Sequence, residues 1–151
     1  MNKLRLILGD QLNINHSWFK ENNSKITYVM MEVKEETSYV LHHAQKIIAT
    51  FAAMRFFAEQ LQQKGFEVIY FKINDKQNKQ SFYQNINKTI KEKNIGELQY
   101  LEPDEYRLST ELKKLESIEN IKVESVDTEH FLVPKLYAKD FFSEKKHWRM
   151  E

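Results

Sequence analysis

Along this chain, short apolar runs alternate with longer stretches in which apolar residues return at three- and four-residue steps. The runs read as five strands: Leu4–Leu8, Ile26–Met31, Glu67–Ile73, Glu97–Leu101 and Ile121–Val126. Near-continuous apolar or aromatic character in the first three suits parallel strands covered on both faces, which have no solvent side to keep polar. Between Tyr39 and Lys64, the residues Val40, His43, Ile47, Ile48, Phe51, Met54, Ala58 and Leu61 keep helical spacing. They predict one long helix, closed by Gly65 in a left-handed cap. Wholly helical, the segment would extend about 39 Å, so a curve or kink is expected in it. A second helix is predicted over Ser81–Lys93, with Phe82, Ile86 and Ile90 on one stripe. A third follows Pro103, a residue suited to a first helical turn, and carries Leu108, Leu112 and Leu115.

Strand alternating with helix requires crossover connections, and hence a parallel sheet between two helical layers. The predicted fold is a three-layer α/β domain, Rossmann-like or flavodoxin-like, with a five-stranded parallel sheet in the order 3-2-1-4-5. The strand order then reverses beside strand one, and ligands of such sheets bind at that reversal, above the carboxyl ends of the strands. Asn74–Gln80 is polar and reads as a surface loop. His130-Phe131-Leu132-Val133-Pro134 is expected to return apolar residues to the body, and Phe141 and Phe142 with Trp148 to form a short terminal helix or an extended tail.

Composition narrows the chemistry. The chain has 151 residues, room for one domain, and 23 basic against 22 acidic side chains give a formal charge of +1. No global field recruits DNA or an anionic membrane. Cysteine is absent, which excludes disulfides, thiolate chemistry and a cysteine-ligated cluster within this chain. No apolar stretch has the length of a signal peptide core or a membrane span, so a cytoplasmic location is expected.

Three places carry chemistry. At the predicted end of strand one, Gly9 permits close backbone approach or positive φ, Asp10 offers acceptors, and Gln11 offers both donor and acceptor to a heterocycle's polar edge. The plainer alternative is a turn with an aspartate cap. No second or third glycine follows Gly9, so neither a dinucleotide fingerprint nor a P-loop is present. The second place runs from Glu32 into the long helix. Glu32 and Glu36 are placed to face the crevice, and Tyr39, His43, Lys46 and Thr50 to line it from one helical side, with Thr37 or Ser38 capping the helix. Plainer roles are first-turn acids for Glu35 and Glu36, and a partly buried helix residue for His43. His42 and His43 are adjacent and point to different sides, a poor arrangement for a metal. In Met54-Arg55-Phe56-Phe57 the aromatics suit packing better than base stacking, and Arg55 suits a phosphate or a carboxylate. Third, Tyr106 and Arg107 return to the same sheet edge, where they are placed to close the pocket.

Taken together, Leu6–Leu12, the run Glu36–Ile47, Met54–Ala58, Glu102–Arg107 and the tail Phe142 to Glu151 resemble the N-terminal domain of the deoxyribodipyrimidine photolyase-related proteins, the bacterial iron–sulfur cryptochromes and photolyases. The resemblance covers nearly the whole chain in the expected order. It implies an α/β antenna domain over 1–134, with 135–151 as a tail or the start of a linker to a helical domain. That further domain would hold FAD and a four-cysteine iron–sulfur cluster, and the whole protein would repair ultraviolet lesions in DNA or sense light. The antenna implied is 6,7-dimethyl-8-ribityllumazine or a related chromophore, met by Gly9, Asp10 and Gln11 from strand one and by Glu36, Tyr39, His43 and Lys46 from the second crossover, with Glu32 nearby. Its implied partners are its own helical domain and, through that domain, damaged DNA, with no membrane. By the same resemblance the segment is an excised domain or truncated product that does not repair DNA alone. Two rivals remain open on the residues alone: a small nucleotide-binding or hydrolytic α/β enzyme, and a structural docking module.

Overall fold

The computed structural model describes residues 1–133 and 135–143. Five parallel strands, β1 (Asn2–Leu6), β2 (Ile26–Met31), β3 (Glu67–Phe71), β4 (Ile95–Leu101) and β5 (Lys122–Val126), form one sheet in the order β3-β2-β1-β4-β5. This is the predicted order. The helices are α1 (Lys34–Ser38), α2 (Ala44–Gln63), α3 (Phe82–Lys93), α4 (Tyr106–Lys113) and α5 (Lys135–Ser143), with single 3-10 turns at Ser17–Phe19 and Lys114–Ser117.

Alternation along each strand sends side chains to two separate cores. Leu4, Leu6 and Leu8 join Val29, Met31, Leu98 and Tyr100 beneath α3 and α4, which contribute Phe82, Ile86, Ile90, Leu108 and Leu112. On the opposite face Ile7, Tyr28 and Met30 pack under α2 through Met54, Phe57, Ala58 and Leu61. Arg5 also points to that side; its guanidinium lies 4.8 Å from the Trp18 ring centre and donates to Gln99 and the Tyr28 hydroxyl. The half-buried cation is therefore held by a ring and by polar neighbours.

The long helix predicted from Tyr39 starts only at Ala44, and a separate short helix precedes it. The chain leaves α1 at Ser38, turns through Tyr39–His43 and starts α2 at Ala44. The expected caps are also reassigned. Thr37 and Ser38 donate back to the Lys34 carbonyl and close α1, whereas extended His43 (φ −66°, ψ 130°) caps α2, its Nδ1 accepting from Gln45 N–H. The cap at the far end is as predicted. Gly65 adopts φ 86°, its N–H donating to Gln62 and that of Phe66 to Leu61, a pairing that satisfies the last carbonyls of the helix. Pro103 is not in a helical turn, since α4 begins at Tyr106 after the extended cap Glu105.

Phe131, Leu132 and Val133 are exposed and do not return to the body. Pro134 and Trp148 lie outside the described residues. Phe141 and Phe142 belong to the terminal helix α5, where Tyr137 stacks on Phe141. No helix among the described residues is long and apolar enough to cross a membrane.

Candidate functional site

A cavity of about 250 Å³ opens at the carboxyl edge of the sheet, where the strand order reverses. Its floor is Leu8, Gly9 and Asp10 beyond β1, with Met31 and Val33 from the end of β2. One wall is Lys46, Ile47, Thr50, Phe51 and Met54 of α2; the other is Phe82 of α3 with Glu105 and Leu108 at α4. Glu36, Thr37, Tyr39 and His42 come from α1 and the turn after it. The interior is thus largely apolar, with polar groups gathered at the mouth, as small-molecule sites generally are.

Arg107 organises that mouth. Its guanidinium donates to both oxygens of Glu36 at 3.1 Å and to Glu105 at 2.8 and 3.3 Å, and lies 3.8 Å from the Tyr39 ring centre. Tyr39 meets the His42 ring edge-on at 4.9 Å. Burial raises the Glu36 carboxyl above its ordinary value despite the attraction of Arg107, and the negative charges of Glu105 and Asp10 push the same way. The buried His42 Nε2 has no hydrogen-bond partner.

Of the eight residues expected to meet a ligand, the structure brings Gly9, Asp10, Glu36, Tyr39 and Lys46 to this cavity. The other three have turned elsewhere. Gln11 is buried in the turn after β1, accepting from Leu8 N–H and donating to the Leu101 carbonyl. His43 caps α2, and the neighbouring His42 takes the lining position.

Glu32 is 0% exposed and faces away from the mouth. Its carboxylate accepts from Arg55 Nε at 2.6 Å and Nη2 at 2.8 Å, from the Tyr70 hydroxyl at 2.8 Å and from Ile73 N–H at 2.8 Å. Burial alone would raise its pKa. The Arg55, Ile73 and Tyr70 bonds outweigh that and hold it below the ordinary carboxylate value. The polar loop after β3 is fastened to the same point, since Asn78 donates to the Glu32 and Lys72 carbonyls. Glu35 serves the next helix, accepting from Phe82 N–H at the start of α3. Gly9 matters through close approach: a Cβ there would lie 3.0 Å from Met54 Sδ and 3.0 Å from Thr50 Cγ2. His42 and Glu105 were not foreseen as lining residues. A break between α1 and α2 at Tyr39–His43 would have pointed to His42, but the unbroken apolar period conceals it.

Fold and cleft together define the class as a doubly wound α/β domain with its crevice at the topological switch point. The chain belongs to the deoxyribodipyrimidine photolyase-related protein family, whose model matches residues 5–151. It is 34% identical over 152 residues to a (6-4) photolyase of Agrobacterium fabrum (strain C58 / ATCC 33970), with all of this chain aligned. The chain spans 30% of the length of that curated relative, so the relative contains sequence beyond the region shared here.

Proposed function

We propose that this chain is the antenna-binding domain of a photolyase- or cryptochrome-like protein. It holds 6,7-dimethyl-8-ribityllumazine or a related planar chromophore over the end of β1 and passes excitation to a flavin in a further domain. The observation that carries this reading is the cavity of about 250 Å³ at the strand-order reversal, apolar within and polar at its mouth. Its size is slightly below the roughly 300–1,000 Å³ of typical ligand sites. A two-ring heterocycle suits it; a dinucleotide does not.

In this reading Leu8, Phe51 and Met54 enclose the ring system, while Asp10, Glu36 and Lys46 meet its polar periphery. No bond of the chromophore changes, so the protein supplies placement and a fixed polar environment and needs no catalytic base. The domain proper runs over 1–134, with 135–151 leading into the further domain, against which Tyr137, Phe141 and Phe142 pack. DNA repair or light sensing belongs to the whole protein, with its FAD and iron–sulfur cluster.

The test is a fluorescence titration of the chain with 6,7-dimethyl-8-ribityllumazine. Saturable one-to-one binding is expected, and Asp10→Ala, which removes a directed acceptor, weakens it about tenfold. Equal affinity in variant and parent counts against the role of Asp10, and no binding by the parent overturns the reading.

A further inference from the structure

The loop that joins β3 to α3, residues 72–81, gathers cations away from the cavity. Lys72, Lys76 and Lys79 of the loop and Lys34 of α1 are exposed, and Lys88 of α3 reaches Gln77 Oε1 at 3.1 Å. Lys34, Lys72, Lys76 and Lys79 form no ion pair among the described residues. Two acids beside them are turned to the main chain instead: Asp75 Oδ2 accepts from Lys72 N–H at 2.7 Å, and Glu35 Oε2 from Phe82 N–H at 3.0 Å. A third, Glu92, stands 3.8 Å from Lys88. Even against all three, the lysines are in excess, in a chain whose formal charge is only +1.

The main chain keeps these charges from drifting apart. Two consecutive turns, Asp75 N–H to the Lys72 carbonyl and Asn78 N–H to the Asp75 carbonyl, each at 3.0 Å, make the loop compact. Buried Asn78 donates to the Lys72 carbonyl, and buried Asn85 accepts from Lys79 N–H at 2.8 Å. Gln80 takes φ 61°, a conformation uncommon outside glycine, and its amide spans the loop, donating to the Ile73 carbonyl and accepting from Lys34 N–H. The roots of Lys34, Lys72 and Lys79 are thus all tied through their own N–H groups. Like charges held together repel, and an anion lying across them relieves that cost.

The side chains narrow the class of anion. Residues 72–81 contain no arginine, so no planar fork grips one phosphate, and lysines act as point charges on flexible stems that suit a row of them. They contain no aromatic side chain on which an unpaired base could stack. Their one apolar residue, Ile73, is half-buried, which leaves nothing to enter a bilayer. A double helix, with one negative charge per roughly 1.7 Å of its axis, is the anion that matches.

We propose that the 72–81 loop, with Lys34 and Lys88, is a platform for the phosphate backbone of a nucleic-acid duplex. The chain then touches the duplex directly, without reading its sequence, and not only through a further domain. The inference is independent of what the cavity holds, so the chromophore titration and the duplex titration fail separately.

The test is fluorescence anisotropy of a labelled DNA duplex of about 20 base pairs, titrated with the 151-residue chain at low salt. Saturable binding is expected, with log affinity falling by roughly 3–4 per unit of log salt, at about 0.9 for each phosphate met. Replacing the three loop lysines together, Lys72→Gln with Lys76→Gln and Lys79→Gln, should weaken it at least about tenfold and flatten that slope by roughly 2–3. A control of equal charge change, Lys64→Gln with Lys91→Gln and Lys113→Gln, should stay within about twofold of the parent and keep the slope. Lys76→Glu alone, at an exposed position, should cost about fivefold. Equal losses in the two triple variants, unchanged affinity in Lys76→Glu, or no binding by the parent overturns the proposal. Tighter binding to phosphatidylserine vesicles than to the duplex overturns it as well.

Discussion

Two glutamates four residues apart, Glu32 and Glu36, each bind an arginine, and they do so to opposite ends. Glu32 sits at 0% exposure with both carboxylate oxygens filled by Arg55, Tyr70 and the Ile73 amide, and its pKa is held below the ordinary value. Glu36 is partly exposed beside a cavity, shares its arginine with Glu105, and has its pKa raised. A saturated carboxylate fastens elements together and has nothing left to offer a ligand. An incompletely compensated one at the rim of a cavity marks a place where a ligand's donors can still be met. Sequence spacing alone puts both acids near the crevice, and only their partners tell them apart.

The sharpest way to break this comparison is Glu32→Ala. It should destabilise the fold by about 2–4 kcal/mol, less than a fully buried pair because Arg55 is half exposed, with the loop after β3 loosening first. Urea unfolding and amide exchange at Ile73 and Asn78 measure it, and a loss below about 1 kcal/mol would make the network ornamental.

Arg107→Ala comes next, at about 1–2 kcal/mol. It leaves Glu36 without its counter-charge and uncovers Tyr39, so the Glu36 carboxyl should rise further in a carbon-detected NMR titration.

The pH dependence separates the two acids by sign. Glu32 has a lowered folded pKa, so its contribution is present above the ordinary glutamate value and is lost as pH falls through the folded value. Glu36 has a raised folded pKa, so its contribution is fully present below the ordinary value and is lost as pH rises through the folded value. Glu36→Gln should therefore match the parent in acid and become the more stable protein toward neutral pH, by less than about 1 kcal/mol. A parent–variant difference that grows instead on acidification reverses the assignment.

Gly9→Ala has a comparably small expected effect on the fold, below about 1 kcal/mol. Its Cβ must displace Met54 Sδ and Thr50 Cγ2 by a few tenths of an ångström, and it should weaken chromophore binding more than it lowers stability.

The sheet order was legible because the helical period is strong and the first three strands are short, near-continuous apolar runs, as parallel strands covered on both faces are. The break at Tyr39–His43 was not, because Val40 and His43 continue the apolar period of α2, and what sets the start of α2 is a histidine nitrogen accepting from Gln45 N–H. Asp10, Glu36, Tyr39 and Lys46 were legible as neighbours because topology alone carries the ends of β1 and β2 to one edge. Glu32 misled, since its burial depends on Arg55 and Tyr70, 23 and 38 residues away. Gln11 misled likewise, as it binds the Leu101 carbonyl, 90 residues away. Local spacing carries no trace of such partners.

The Glu32–Arg55 bond has one more consequence. Glu32 stands between Met31 and Val33, and Arg55 follows Met54, so this single ion pair ties the floor of the cavity to its α2 wall. The distance between those surfaces is thereby set before any molecule arrives. Association then freezes few protein motions and spends little of its free energy on ordering the host, so small changes of shape in the incoming molecule are felt directly in how long it stays.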